Sequence, residues 1–232
     1  MKSHTARPAA WAAIGLLGLV AGCAPPRHRT TVVERQAPAV ETKTVETTTT
    51  TKVNGKIVDR YVASWPTASH GAADQMIAKY GPPDEATPSM LVWYNNGDWK
   101  RTIVHRDVYD HNFPQPHQDV LEQVIDYRVP PESLADLDRF DGSLSVNRTR
   151  GELTSWAQSE DENRRAIDRA DDIIHDRLAV DEARQSMARS AALTTSGKSV
   201  ESKPGWNWKR SVGSPADPDS AVEPSESLPS TP

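Results

Sequence analysis

The sequence predicts an α+β domain in which one small, mainly antiparallel sheet has helices packed on one face, with disordered segments on either side. Two β-hairpin patterns lie in the middle of the chain, and two helical patterns follow the second of them. The connections between these elements are short. Short connections favour antiparallel neighbours, because a parallel crossover needs a dozen or more residues.

The first half of the predicted domain consists of a helix, a hairpin and a further strand. Ala72–Tyr80 carries apolar side chains at helical spacing, and Gly81-Pro82-Pro83 ends the helix. Met90–Tyr94 and Trp99–Arg106 form the hairpin strands, since an Asn-Gly turn signal separates them. Val120–Val129 is predicted to be the next strand, because most of its apolar residues occupy alternate positions.

The second half repeats the order of helix and hairpin and then becomes helical. A short helix is predicted over Glu132–Phe140, followed by a hairpin with strands at Ser143–Thr149 and Glu152–Trp156. Within Ser159–Arg177 the apolar residues recur every three to four positions beside a charged face, which indicates an amphipathic helix. A last helix is predicted over Asp181–Ala192.

The amino terminus has the layout of an export signal. Lys2 and Arg7 precede an apolar run from Ala9 to Val20, which is too short to cross a bilayer as a helix. The stretch Val20-Ala21-Gly22-Cys23 resembles the lipobox of bacterial lipoprotein precursors. That resemblance implies that the Cys23 thiol carries the lipid and that the chain is cut before it. The alternative is an ordinary signal peptide that leaves Cys23 as a free thiol.

The lipobox resemblance implies a location and a partner. Cys23 would hold the chain at a membrane in the bacterial cell envelope, since several acyl chains on one residue bind firmly to a bilayer. Where the host has two membranes, Ala24 after the cysteine is similar to the pattern that sorts lipoproteins to the outer membrane, facing the periplasm.

Composition then divides the chain into four parts. We expect residues 1–22 to be the signal peptide, 23–70 a disordered tether rich in Thr and Pro, 71–193 the α+β domain, and 194–232 a disordered tail. Within the tether, Lys56–Val62 has the pattern of a short strand. Within the tail, Trp206 and Trp208 are exceptions that fit either an anchor for a partner or a fold-back onto the domain.

Charge and cysteine content exclude several classes of function. Residues 71–195 carry 14 basic and 23 acidic side chains, so this region repels a phosphate backbone and nucleic acid is not an expected partner. Cys23 is the only cysteine, which excludes an intramolecular disulfide and a structural zinc site built on thiolates. The sequence contains neither a Gly-x-Ser-x-Gly elbow nor a glycine-rich phosphate loop, and no cofactor is predicted.

The densest polar cluster surrounds the predicted loop after the first hairpin. It contains three histidines and three carboxylates: His105, Asp107, Asp110, His111, His117 and Asp119. His and Asp are ligands that zinc accepts, and three of them leave one position open for chemistry. Equally, these residues fit a rigid surface loop whose histidines face water. A metal site requires two of the imidazoles and one carboxylate to converge on one point.

Two further resemblances concern the core. Lys79–Glu85, Met90–Gly97, Val124–Pro130 and Arg148–Leu153 are similar to an uncharacterised bacterial lipoprotein family, and this resemblance implies no assigned activity. The first helix, the Gly-Pro-Pro-Asp turn and the aromatic strand also resemble the small lipoprotein of the outer-membrane barrel-assembly machinery.

Two functions are consistent with these observations. The first is a lipid-anchored, non-enzymatic envelope module that binds another envelope protein or a surface polymer through its sheet or loops. The second is a metal-dependent hydrolase or metal-binding protein that uses the loop of His105, His111 and His117. Convergence of the histidine rings in the folded domain discriminates between the two.

Overall fold

The computed structural model describes residues 51–198 and 214–222 and confirms the α+β class. Its sheet has six antiparallel strands in the order β1-β2-β3-β4-β6-β5. The strands are β1 (Glu85–Ala86), β2 (Met90–Asn96), β3 (Trp99–His111), β4 (His117–Asp126), β5 (Leu144–Asn147) and β6 (Glu152–Ala157). The α-helices are α1 (Gly55–Val62), α2 (Thr67–Tyr80), α3 (Leu134–Phe140), α4 (Glu160–Ile174) and α5 (Val180–Thr195), and a short 3-10 helix covers Pro131–Ser133.

The strand register explains why the helices pack on one face. Leu91, Val104, Leu121 and Ala157 are paired across β2, β3, β4 and β6, so they form one buried row on the same face. Side chains two residues along each strand share that face. The alternation of apolar and polar residues in the hairpins therefore directs one apolar surface toward the helices.

Two hydrophobic clusters fill the space between the sheet and the helices. In the first, Ala73 and Met76 of α2 pack with Leu91 and Val104, together with Val58 and Val62 of α1. The second lies beneath α3, α4 and α5. Its buried side chains are Trp99, Ile125, Tyr127, Val129, Leu137, Phe140, Leu153, Ala166, Ile167, Ala170, Ile173, Ala183 and Met187. Tyr80 packs against both clusters.

A buried carboxylate joins the elements around these two clusters. Glu160, at the start of α4, is 4% exposed. Lys79 Nζ donates to its Oε1 at 2.9 Å, the Tyr80 hydroxyl donates to its Oε2 at 2.9 Å, and Arg164 Nη2 donates to Oε1 at 2.9 Å. Burial raises the pKa of the Glu160 carboxyl. The hydrogen bonds from Lys79, Arg164, Trp99 and Tyr80 outweigh this effect, so the pKa lies below its usual value of 4.5.

The predicted boundary between tether and domain at residue 71 is wrong. The predicted strand over Lys56–Val62 is helix α1, which begins after Asn54, whose side chain accepts a hydrogen bond from the Lys56 backbone. Val58 and Val62 are four residues apart and therefore face the core together. Trp65 is also buried, and its indole Nε1 donates to the Pro88 carbonyl at 3.1 Å.

The tail boundary also needs correction. Helix α5 extends to Thr195, and residues 214–222 contact the domain at the turn between β5 and β6. The strand predicted over Val120–Val129 is β4, which begins at His117 and ends at Asp126. The rest of the predicted tether and tail lies outside the described residues. Among the described residues, no helix has both the length and the apolar character that a membrane span requires.

We predict that Glu160→Gln lowers the free energy of unfolding by about 2 kcal/mol at pH 7, because the buried donors lose a charged acceptor. The folded-state pKa of Glu160 is lower than the unfolded value. The carboxylate therefore contributes stability above about pH 4.5 that is lost as the pH falls through the folded-state pKa. Urea titrations at several pH values measure this difference, which should shrink in acid.

Glu132→Gln is the matched control, because Glu132 is exposed. It should change the free energy of unfolding by less than about 0.5 kcal/mol at any pH. Equal stability of the two variants at pH 7 would contradict the role assigned to Glu160.

Candidate metal centre

The distal end of the β3–β4 hairpin brings two histidines and a carboxylate together. The register shifts between Val104 and Tyr109, so alternation counted from the first part of β3 does not continue past this bulge. Beyond it the ladder resumes, with Tyr109 opposite Asp119 and His111 opposite His117. Because side chains two residues apart share a face, His111, His117 and Asp119 lie side by side.

The donor atoms of these three residues are close enough to hold one ion. Asp119 Oδ1 lies 2.9 Å from His117 Nε2, and Asp119 Oδ2 lies 3.1 Å from His111 Nδ1. All three residues offer ligand atoms within 4.8 Å of one another. A tetrahedral zinc ion with bonds of about 2.1 Å needs donor atoms about 3.4 Å apart. The cluster therefore meets the convergence requirement with two imidazoles and one carboxylate.

The second nitrogen of each imidazole is held by a neighbouring oxygen. His117 Nδ1 lies 2.8 Å from the Gln115 carbonyl oxygen, which can only accept, so Nδ1 carries the hydrogen and Nε2 faces the cluster. His111 Nε2 lies 3.5 Å from Asp141 Oδ1. Asp141 is itself fixed by Ser143, whose backbone N–H and hydroxyl donate to Oδ1 at 2.9 and 2.7 Å. Partners of this kind orient metal-ligating histidines in proteins.

The atoms that face the centre of the cluster are buried and pair with one another. Asp119 is 5% exposed. Asp119 Oδ1 and His111 Nδ1 are buried, and each lies within ion-pair distance of another member of the cluster, His117 Nε2 at 2.9 Å and Asp119 Oδ2 at 3.1 Å. A bound cation would use the electron pairs of both atoms.

In the metal-free protein, the groups around His117 favour its protonated, charged form. The Asp119 carboxylate raises the pKa of His117 to about 9, against the opposing effect of burial and with help from the Gln115 carbonyl. Burial raises the pKa of Asp141, and the hydrogen bonds from Ser143 and the proximity of His111 offset only part of this effect. Metal binding at His117 would therefore displace a proton.

The third predicted ligand, His105, lies elsewhere. Its Nε2 is 2.9 Å from Glu122 Oε2, and its ring stacks on Trp156 with 4.5 Å between the ring centroids. Asp107 and Asp110 are exposed: Asp107 pairs with Arg106, and Asp110 accepts from Gln118. The predicted grouping of three histidines is therefore wrong, while His111, His117 and Asp119 from the same stretch do converge.

Sequence reasoning missed Asp141, because it follows α3 and reaches His111 only through the tertiary fold. Its one local signal is the Asp-Gly-Ser order, which is typical of a turn. The other predicted site residues, Cys23, Trp206 and Trp208, lie outside the described residues.

A cleft of about 370 Å³ borders the cluster at Asp119. Its lining residues are Tyr109, Asp119, Gly142, Ser143, Leu144, Ser145 and Trp156. The Tyr109 and Trp156 rings are perpendicular with centroids 5.8 Å apart, and Tyr109 is 55% exposed. The cleft thus combines aromatic surface with hydroxyl groups beside the candidate metal ligands, a combination common in ligand sites.

The described residues form an α+β domain in which His111, His117 and Asp119 converge at the end of an antiparallel hairpin. No protein-family model, curated protein or solved structure matches the chain.

We predict that the His117 pKa is about 9 in chelator-treated protein and falls toward 6.5 in the Asp119→Asn variant. The folded-state pKa of His117 is higher than its unfolded value of 6.5. The ion pair of His117 and Asp119 therefore contributes stability below pH 6.5 that is lost as the pH rises through about 9. NMR titration of the imidazole carbon-bound protons measures the pKa directly. An unchanged His117 pKa in Asp119→Asn would show that the carboxylate is not its cause.

Proposed function

We propose that this chain is a lipid-anchored protein of the bacterial cell envelope whose domain binds a divalent transition metal ion, zinc above all, through His111, His117 and Asp119. The supporting observation is the convergence of their donor atoms within 4.8 Å. Two imidazoles and one carboxylate suit zinc better than magnesium or calcium, which prefer oxygen ligands.

Anchoring is supported by the amino-terminal sequence. The basic residues Lys2 and Arg7, the short apolar run and Val20-Ala21-Gly22-Cys23 together match the order of a lipoprotein signal. The protein would then be attached through a lipid on Cys23, on the periplasmic face of the outer membrane where the host has two membranes.

The role we propose is binding, not hydrolysis. A metal hydrolase needs a general base beside the open coordination position. The carboxylates that act on the cluster are already engaged: Asp141 with His111 and Ser143, and Glu162 with Gln158 and Ser159. The adjacent cleft, with its exposed Tyr109, supports contact with an envelope protein or a surface polymer.

Zinc titration of the full chain tests the metal site. We expect one ion per chain at the cluster, and a more than 100-fold loss of affinity in each of the variants His111→Ala, His117→Ala and Asp119→Ala, since even changes outside the ligand set cost about 10- to 100-fold. Competition against a chromogenic chelator measures the affinity, and the visible spectrum of the Co²⁺ form reports the tetrahedral geometry.

His105→Ala provides the matched control, since His105 belongs to the same stretch of sequence but pairs with Glu122. It should bind zinc as tightly as the unmodified chain. Unchanged affinity in His117→Ala, or loss of affinity in His105→Ala alone, would reject the assigned ligand set.

Membrane attachment has a separate test. In a bacterial host the unmodified chain should sediment with membranes, and mass spectrometry of its amino-terminal peptide should show acyl chains on Cys23. Cys23→Ser should move the protein to the soluble fraction, because the thiol is the site of acylation. Sedimentation of Cys23→Ser with membranes would contradict lipid anchoring and would leave the metal site unaffected.

A further inference from the structure

Residues 214–222 contact the domain at the β5–β6 turn. The Asp217 backbone N–H donates to the Arg148 carbonyl at 2.8 Å. The Arg148 guanidinium donates through Nη2 to Asp217 Oδ2 at 2.7 Å and to Asp219 Oδ1 at 2.6 Å, and its Nε reaches Asp217 Oδ2 at 3.2 Å. One arginine of the turn therefore binds two carboxylates and one backbone amide of the same short segment.

Shape complementarity at Gly151 reinforces this contact. Gly151 has a φ of +64°, which suits glycine, and the backbone of Pro215 and Ala216 passes directly over it. A Cβ at position 151 would lie 2.6 Å from the Ala216 nitrogen. The turn therefore provides a charged fork at Arg148 and an indentation at Gly151, two separate features that match one segment.

The neighbouring Arg150 shows that positive charge alone does not account for the contact with residues 214–222. Arg150 belongs to the same turn and is more exposed than Arg148, yet it pairs with Glu152 of β6. Arg148 instead points its planar guanidinium at the Asp-Pro-Asp sequence of residues 217–219. A guanidinium matches carboxylates in fixed geometry, which a general attraction between surface charges does not require.

We propose that the β5–β6 turn, with Arg148 and Gly151 as its recognition residues, is a binding site for an acidic peptide, and that residues 215–219 of the same chain occupy it as a displaceable intramolecular latch. This site is independent of the proposed metal centre and shares no residue with it. Arg148 and Asp217 are partly exposed and Asp219 is exposed, so salt should weaken the contact and a competing acidic peptide should displace the segment.

Hydrogen exchange of the full chain tests the latch at the Asp217 amide. We expect this amide to exchange at least tenfold more slowly than in the free peptide of residues 214–222, and its protection to fall as NaCl rises from 20 to 500 mM. Arg148→Ala should bring its exchange to the free-peptide rate, whereas Arg150→Ala should retain the protection. An Asp217 amide that exchanges at the free-peptide rate in the unmodified chain would overturn the proposal.

Variants on both sides of the contact separate the latch from folding. Gly151→Ala should abolish the protection, but it also strains the turn. The double variant Asp217→Asn with Asp219→Asn leaves the turn intact and should abolish the protection without changing the thermal unfolding midpoint of the domain. Protection that persists in the double variant would show that the carboxylates are not recognised.

Competition with an added peptide tests which segment occupies the β5–β6 turn. An excess of the free 214–222 peptide should reduce the protection, while a scrambled peptide of the same composition should not. An intramolecular latch also gives the same protection at every protein concentration. Protection that rises with protein concentration would overturn the intramolecular assignment and show that a second copy of the chain supplies the segment.

Discussion

Glu160 lies with its carboxylate buried where α2 meets the start of α4. An unpaired charge at this depth would cost several kcal/mol, so the fold is stable only when the donors from Lys79, Tyr80 and Arg164 reach it together. Lys79 and Tyr80 end α2, and Tyr80 packs against both hydrophobic clusters. This one constraint therefore joins the end of α2 to the start of α4, two of the helices that cover the sheet.

The elements with local signals could be predicted from the sequence. The Asn-Gly turn and the alternation around it determine the β2–β3 hairpin, and the apolar spacing within Ser159–Arg177 determines α4. Both patterns depend on residues only a few positions apart. The α+β class then follows from short connections, since an antiparallel sheet is what such connections allow. These predictions needed no knowledge of distant contacts.

The errors occur where a distant partner decides the structure. Val58 and Val62 are too few to indicate a helix in a Thr-rich segment, and they become buried only because α2 and the sheet lie beside them. Asp141 reaches His111 through the packing of α3. His105 and His111 are six residues apart, so a regular strand would place both side chains on the same face. The bulge after Val104 breaks this alternation and separates them.

The candidate metal centre buries a charged side chain, which costs free energy that the fold alone does not require. Asp119 is 5% exposed and its charge is balanced by the imidazoles of His111 and His117, whereas apolar residues at these three positions would avoid burying a charge. Yet Gln115 and Asp141 orient both rings, an arrangement that stability alone does not require. This arrangement supports the proposed metal site, where a divalent cation would pair the buried carboxylate and both ring nitrogens at once.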